Sequence, residues 1–252
     1  MAAQTFHRFL ARLLHRSVQN PGPETAVTIQ DRFATRHVAA EQGALFHAYV
    51  PAHAVPPRLT AKRVLDLVIA LPALLFFLPL LLLLALVIRL DSAGPVLFLQ
   101  KRLGQGGVPF AIYKFRTMHV LEDGATVVQA SKNDARITRI GRFLRITSLD
   151  ELPQLLNVVR GDMSLVGPRP HAIAHDMLYA ALIPEYTQRQ LAKPGITGWA
   201  QINGARGATP TTESMRERVA FDIWYVRHVS LALDLKILLR TPLEIVFPRN
   251  AY

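Results

Sequence analysis

The segment SLDELPQLLN, Ser148 to Asn157, sets Asp150 beside Glu151 in a run that is otherwise apolar or amide, among Leu149, Leu152, Leu155 and Leu156. Two adjacent carboxylates offer a site for a hard divalent ion and an oxygen nucleophile. The chain has no cysteine, so any nucleophile must be oxygen or nitrogen. A purely structural reading also exists. Ser148 followed three residues later by Glu151 matches a capping box, in which Glu151 would serve only the backbone. Pro153 argues against that register. With Ser148 as the N-cap it falls at the fifth helical position, where a missing N–H and a ring clash are costly; a cap at Leu149 or Asp150 puts it in the tolerant first turn. Asp150 would then stand at the mouth of the helix, as a cap or beside a bound phosphoryl group.

Cations to complement such an anion are plentiful. The formal net charge is +11, which points to anionic partners: nucleic acid, acidic lipid or phosphorylated small molecules. In SLVGPRPH, Arg169 is held between two prolines that stiffen its backbone, a presentation suited to a forked guanidinium and also to a simple loop corner. Lys114 and Arg116 alternate in YKFRTM and share one face of a predicted strand. In DARITRIGRFLR, Arg136, Arg139, Arg142 and Arg145 recur every three residues between apolar ones. On a helix they form a cationic stripe, either a solvated face or a contact with lipid headgroups or substrate phosphate. His171 and His175 have the spacing of helical zinc ligands, but the glutamate of HExxH is absent.

The elements that must position these groups can be read from composition and period. With 252 residues, half of them hydrophobic, the chain can bury a substantial core. MAAQTFHRFLARLLHRS places Phe6, Phe9, Leu10, Leu13 and Leu14 on one helical face and Arg8, Arg12 and Arg16 on another, the pattern of a helix lying on a membrane surface. Asn20 to Arg58 reads as a weakly ordered tail. Val64 to Ile88 is apolar over a length that could cross a bilayer. Its flanks are cationic on both sides, and Pro79 near its middle removes a helical hydrogen bond. The expectation is a re-entrant helix that bends at Pro79 and returns to the cytoplasmic face. Next come two short strands around a Gly104–Gly107 turn, a mobile loop over Leu121 to Asn133, a helix over about Ala172 to Leu191, a glycine-rich loop, and a final helix around Met215 to Arg227. The fold class expected is α/β in the α+β sense, mostly helical: a tail over 1–58, a membrane helix over 59–90 and a catalytic domain over 91–252 with a short β-hairpin and amphipathic interfacial helices.

KRVLDLVIA, FLQKRLGQGGVPFAIYKFRTM, RITSLDELPQLLNVVRGDMSLVGPRP, KPGITGWAQING and DLKILLRT, in that order, resemble the bacterial sugar transferases, also called monotopic polyprenyl-phosphate phosphoglycosyl transferases, over about Leu59 to Thr241. The resemblance implies an enzyme that moves a sugar 1-phosphate from a UDP-sugar to undecaprenyl phosphate and releases UMP, the first membrane step of exopolysaccharide or capsule assembly. It implies that Asp150 is the nucleophile, forming an aspartyl phosphosugar, that Glu151 is its partner, and that Mg²⁺, with Mn²⁺ as an alternative, binds at the pair. Lys114, Arg145 and Arg169 would hold phosphate, and Pro79 would break the membrane helix. The partners implied are the two substrates and the lipids of the bacterial inner membrane, with the catalytic domain on the cytoplasmic face, room for a homodimer, and no nucleic acid.

The sequence departs from the family pattern at Leu78, where relatives often carry Ser before the proline, and at Ala205, where many carry an aromatic residue or Arg. It also lacks the long multi-span N-terminal region of larger relatives, which leads to the expectation of a minimal catalytic unit. The GWAQING…RVAFDIWYV…DLKILLRT ending is similar to the branch that transfers glucose or galactose 1-phosphate; an N-acetylated amino sugar stays open. The reading from another class is a basic, membrane-anchored anion-binding protein without turnover.

Overall fold

The longest element grows from the longest apolar run. In the computed structural model, which describes residues 60–119, 134–207 and 209–246, helix α1 covers Ala61–Asp91 and opens on Thr60, whose side chain accepts a hydrogen bond from Arg63 N at 3.2 Å. All of these residues fall within the unit Phe46–Tyr252. The expected N-terminal surface helix, the tail and the loop over Leu121 to Asn133 lie outside the described residues. Helix α1 is long and apolar enough to cross a membrane by length and composition. It contains both Pro72 and Pro79 and runs through them without ending. Pro79 deletes one backbone donor, while packing on either side of it supports the flanking turns.

That packing is one-sided along the whole element. Ala70 is buried with Ile112, Val158 and Ile237, and Leu84 and Ile88 are buried with Phe115 and Leu144. The opposite face carries Val68, Leu75, Phe76, Leu82 and Leu90, each more than half exposed. Polar contacts peg both ends. Lys62 Nζ meets Asp234 at 2.6 Å, and Asp66 Oδ1 accepts hydrogen bonds from Ser164 Oγ and Leu165 N, each at 2.9 Å. At the other end the Arg116 guanidinium donates to Ser92 O at 2.6 Å and Ala93 O at 2.8 Å just past the helix, and to the helical carbonyl of Ile88 at 3.4 Å.

Strands β1 (Leu97–Leu103) and β2 (Pro109–Phe115) form the expected antiparallel hairpin, with Leu97 opposite Phe115 and Leu103 opposite Pro109, turned by a 3-10 segment over Gln105–Gly107. Helix α2 (Arg139–Thr147) follows; Arg136 lies before it and pairs with Asp134, so the arginine stripe is only partly helical. Arg139, Arg142, Phe143 and Ile146 are exposed on α2, and Leu144 is fully buried. Helix α3 (Gln154–Arg160) leads to β3 (Ser164–Val166), which pairs in parallel with β4 (Gly195–Thr197).

Between them the long helix expected over Ala172 to Leu191 is divided. Helix α4 covers Ile173–Leu182, Ile183 is extended, and a 3-10 segment spans Tyr186–Leu191. The cause is Pro184, which drives the residue before it out of the helical region. After the short helix α5 (Trp199–Ile202), α6 (Thr212–Arg227) begins with a Thr211–Ser214 capping box. It is not the last helix: α7 (Leu231–Val246) contains the DLKILLRT segment and exposes Leu231, Leu235, Leu239 and Leu243 at four-residue spacing.

Helix α2 reaches its place through a close approach at Gly141, where a Cβ would stand 2.1 Å from Thr117 O. Gly141→Ala is expected to destabilise the fold by about 1–3 kcal/mol, read as a lowered thermal midpoint. An unchanged midpoint would show that α2 does not need this contact.

Candidate active site

The two acids lie in a turn between helices and not at the mouth of one. Ser148 adopts φ 58°, a left-handed conformation uncommon outside glycine, and ends α2; Leu149–Glu151 then form a single 3-10 turn, and α3 starts at Gln154 after Pro153. The helix-mouth expectation for Asp150 is thus corrected by one turn: Pro153 sits at the N-cap, where its missing N–H costs nothing, and pushes the acids upstream. No capping box forms. Ser148 Oγ accepts a hydrogen bond from Arg206 Nη2 at 2.6 Å instead.

Glu151 is gripped by cations from two other elements. Lys114 Nζ, on β2, is 2.9 Å from Oε1. Arg169 closes a fork, Nη2 to Oε1 at 2.5 Å and Nη1 to Oε2 at 3.0 Å. Asp150 takes none of these bonds, although it is 9% exposed and lies within the electrostatic reach of Lys114, Arg145 and Arg169. The charges separate accordingly. Burial, followed by repulsion from Glu151, pushes Asp150 up to about 6. Burial acts on Glu151 as well, yet the Arg169 and Lys114 charges hold it well below the ordinary carboxylate range. Glu151 is the committed anion, and Asp150 is the carboxyl whose lone pairs are not tied up in this ion-pair set.

Arg169 owes its position to a backbone turn fixed at three successive carbonyls. Pro168 O accepts from Gly195 N at 3.0 Å, Arg169 O from Arg189 Nη2 at 2.5 Å, and Pro170 O from Arg102 Nη1 at 3.3 Å. Arg189 is itself buried in a polar cluster, with Nε and Nη2 at 3.0 and 2.8 Å from Asp222 Oδ2. Tyr186 donates its hydroxyl to Asp176 Oδ1 at 2.6 Å, and His171 Nδ1 lies 2.6 Å from that hydroxyl. Burial, then the Arg189 charge, holds His171 well below its ordinary pKa, so the imidazole is neutral.

Four residues singled out in the sequence therefore meet around the turn: Asp150, Glu151, Lys114 and Arg169. Arg145, at the end of α2, joins them through its charge. Pro79 is on the exposed face of α1 and is not part of the cluster. Arg116 is directed to the end of α1 because it follows the last residue of β2 and no longer shares a strand face with Lys114. Two residues were missed. Arg206 lies within electrostatic reach of both acids, and its only signal was its place beside Ala205 in the glycine-rich loop. Arg189 carried no motif at all.

Among the described residues there is no group of three or more His, Cys, Asp and Glu that could hold a metal ion. Magnesium, however, is commonly held by one or two carboxylates with water and substrate phosphate completing its shell. Asp150 with one oxygen of Glu151 fits that donor set. Beside the same turn lies a cavity of about 160 Å³ reaching from Glu151 to Thr241 on α7.

The chain matches the family model described as bacterial sugar transferase over residues 57–248. It is 60% identical over 191 residues to the UDP-glucose:undecaprenyl-phosphate glucose-1-phosphate transferase of Caulobacter vibrioides, covering 76% of this chain and 72% of that one. It is 51% identical over 191 residues to the protein of the same name from Escherichia coli, covering 76% of this chain and 41% of that one. A UDP-N-acetylgalactosamine-undecaprenyl-phosphate N-acetylgalactosaminephosphotransferase of Aeromonas hydrophila is 41% identical over 180 residues, 71% of this chain and 42% of its own length. The chain thus spans about two fifths of the last two relatives.

The cluster behind Arg169 has a pH signature. Burial raises the Asp176 carboxyl to about 6 from 3.8, so the folded protein binds this proton more tightly than the unfolded chain does. Its contribution to stability is full below about pH 4 and is lost as pH rises through 6. Asp176→Asn, which keeps an oxygen for Tyr186, is expected to flatten the fall in thermal midpoint across that window. An unaltered slope would contradict the assignment.

Proposed function

The chain belongs to the bacterial sugar transferase family, and from that premise we propose that it transfers glucose 1-phosphate from UDP-glucose to undecaprenyl phosphate, with Asp150 as the nucleophile. The observation that carries this reading is the division of labour in the acid pair: Glu151 is fully ion-paired by Lys114 and Arg169, while Asp150 stands among the same cations outside that pairing.

An Asp150 carboxylate oxygen attacks the β-phosphorus of the donor. The bond from that phosphorus to the bridging oxygen breaks, UMP leaves, and the sugar phosphate stays on Asp150 as an acyl phosphate. An oxygen of undecaprenyl phosphate then attacks the same phosphorus, the bond to Asp150 breaks, and the carboxylate is regenerated with undecaprenyl diphosphate glucose as product. Two anions meet in each step. Lys114, Arg145 and Arg169 offset that repulsion in a site where desolvation strengthens each charge. Mg²⁺ held by Asp150, Glu151 and substrate phosphate would supply further charge neutralisation. Glu151 holds Lys114 and Arg169 together beside Asp150. Glucose is the sugar named for the Caulobacter and Escherichia relatives.

The acceptor is a lipid, so the site must sit at a bilayer surface. Helix α1 supports an entry and return on one side of the membrane: both of its ends are pegged to the same folded unit, and its exposed face is apolar from Val64 to Leu86. A helix crossing the bilayer would have to part from that unit at one end. The cationic flanks and a cytoplasmic donor support the cytoplasmic face of the inner membrane as that side.

Purified protein given UDP-glucose, Mg²⁺ and undecaprenyl phosphate is expected to release UMP, with loss of at least a thousandfold in Asp150→Asn, and excess EDTA should stop turnover until Mg²⁺ is restored. Near-normal turnover of the variant would overturn the nucleophile, and salt-sensitive anion binding without UMP release would favour the non-enzymatic reading. For topology, Ala26→Cys and Ser131→Cys are both expected to resist a membrane-impermeant thiol reagent in intact cells and to react after permeabilisation. Labelling of Ala26→Cys alone in intact cells would mean a full span.

A further inference from the structure

The cavity beside the acid turn offers a ligand carbon and little else. Its wall is largely apolar, built by Leu152 and Leu155 with Ile196 and Ile202. The uncharged polar side chains that border it are engaged by protein groups or turned away. Thr197 Oγ1 and Thr241 Oγ1 lie 2.7 Å apart, and Thr241 also donates to Ile237 O at 2.8 Å. Gln201 Nε2 donates to Ile196 O at 3.0 Å, and its buried Oε1 lies toward Gly198, where a Cβ would stand 3.3 Å from it. An apolar cavity of about 150 Å³ admits a molecule the size of benzene; this one, at about 160 Å³, suits a hydrocarbon group of similar bulk. One cation stands where the cavity borders the acid turn. Arg206 Nη2 donates to Ser148 Oγ at 2.6 Å and Nη1 to Glu244 O at 3.2 Å, so both partners are neutral, and it forms no ion pair among the described residues. Burial, then the Arg169 charge, lowers its pKa, a shift that an arriving anion would oppose.

We propose that Arg206 and this cavity form the acceptor's site: the phosphate of the prenyl phosphate rests on Arg206, and its first isoprene unit fills the cavity. The inference rests on the reading of Asp150 as the residue that carries the sugar phosphate. A cation and an apolar space stand side by side, so the ligand must join an anion to hydrocarbon with no polar group between them. A prenyl phosphate does so, because its first carbon is bonded to a phosphate oxygen and an isoprene unit has neither donor nor acceptor. The donor does not: its diphosphate is flanked by glucose and ribose, whose hydroxyls the apolar wall would leave unpaired. A membrane phospholipid does not either, since glycerol and ester groups separate its phosphate from its acyl chains. The prenyl chain takes no part in the chemistry, so the cavity that receives it needs none of the reacting groups in its wall. Ser148 and Glu151, which flank Asp150 in the turn, both border it and bring the phosphate end to the nucleophile. Helix α2, which ends at Ser148, exposes Phe143 and Ile146, and α7, which supplies Thr241, exposes Leu239 and Leu243. The cavity is thus bordered by two helices with apolar exposed faces, on which later units of the chain can lie.

The test separates the two half-reactions. Ile196→Phe fills the cavity from a half-buried position, and Thr241→Leu does so from α7 and carries the test if Ile196→Phe does not fold. In each variant the rate at which UDP-glucose loads the protein and releases UMP without acceptor is expected to stay within about twofold of wild type. KM for undecaprenyl phosphate, and the concentration of it that discharges the loaded protein, should rise about tenfold or more, the scale of a lost hydrophobic contact in a pocket. Equilibrium binding to the purified protein is measured in parallel with farnesyl phosphate, farnesol and phosphatidic acid. Farnesyl phosphate should weaken about tenfold or more in both cavity variants and in Arg206→Gln, and farnesol in the cavity variants alone. Slower loading with normal discharge would make the cavity part of the donor site, equal losses in both half-reactions would make the substitutions merely structural, and no change in any constant would make it a void. Phosphatidic acid bound as tightly as farnesyl phosphate would make it a site for bulk lipid. Each of these overturns the proposal. Failure of the wild type to release UMP would count against the transferase reading, and the farnesyl phosphate comparison would still decide whether the site takes a prenyl phosphate.

Discussion

The ion pairs on Glu151 are the joint on which the site depends. A carboxylate buried beside a second carboxylate is electrostatically unfavourable unless cations answer it, and the cations here come from separate parts of the chain: Lys114 from β2 and Arg169 from the turn between Pro168 and Pro170. Once Glu151 is the anion that holds them, Asp150 is released from structural duty. Its burial and the neighbouring charge leave it with a raised pKa, and a phosphoryl group arriving between Lys114, Arg145 and Arg169 would meet the proposed nucleophile and its counter-charges already in place.

Much of the remaining architecture serves to keep those cations still. The hairpin presents Lys114, and Tyr113 N donates to Asn157 Oδ1 at 2.9 Å, which ties the strand to the helix that follows the acids. The Pro168–Pro170 turn is pinned at each of its carbonyls, and the Arg189 cluster is buried so that one of those pins has no alternative partner in water. Helix α1 has a second role. It packs on both the core around Val158 and the core around Leu144, one on each side of the acid turn, so an element whose exposed face is apolar from Val64 to Leu86 is mechanically continuous with that turn. Under the proposed transfer to a lipid acceptor, that continuity would set the depth of the acid turn relative to the bilayer.

The parts of the site that were legible in the sequence are those whose residues advertise themselves locally. An acid pair within an apolar run, an arginine between prolines and a lysine on an alternating strand each carry a pattern a few residues long. The antiparallel hairpin was legible for the same reason. Arg206 and Arg189 were not, because their meaning lies in contacts with Ser148, 58 residues away, and with Asp222, 33 residues away. Pro184 was a local breaker overlooked inside an otherwise helical period.

We propose that Asp150, and no other residue, carries the sugar phosphate between donor and acceptor. Intact-protein and peptide mass spectrometry of the protein incubated with UDP-glucose and Mg²⁺ in the absence of acceptor tests this directly. An adduct with the mass of one hexose phosphate is expected on the peptide containing Asp150, discharged when undecaprenyl phosphate is added. UMP release that requires the acceptor from the outset, with no adduct on that peptide, would contradict it.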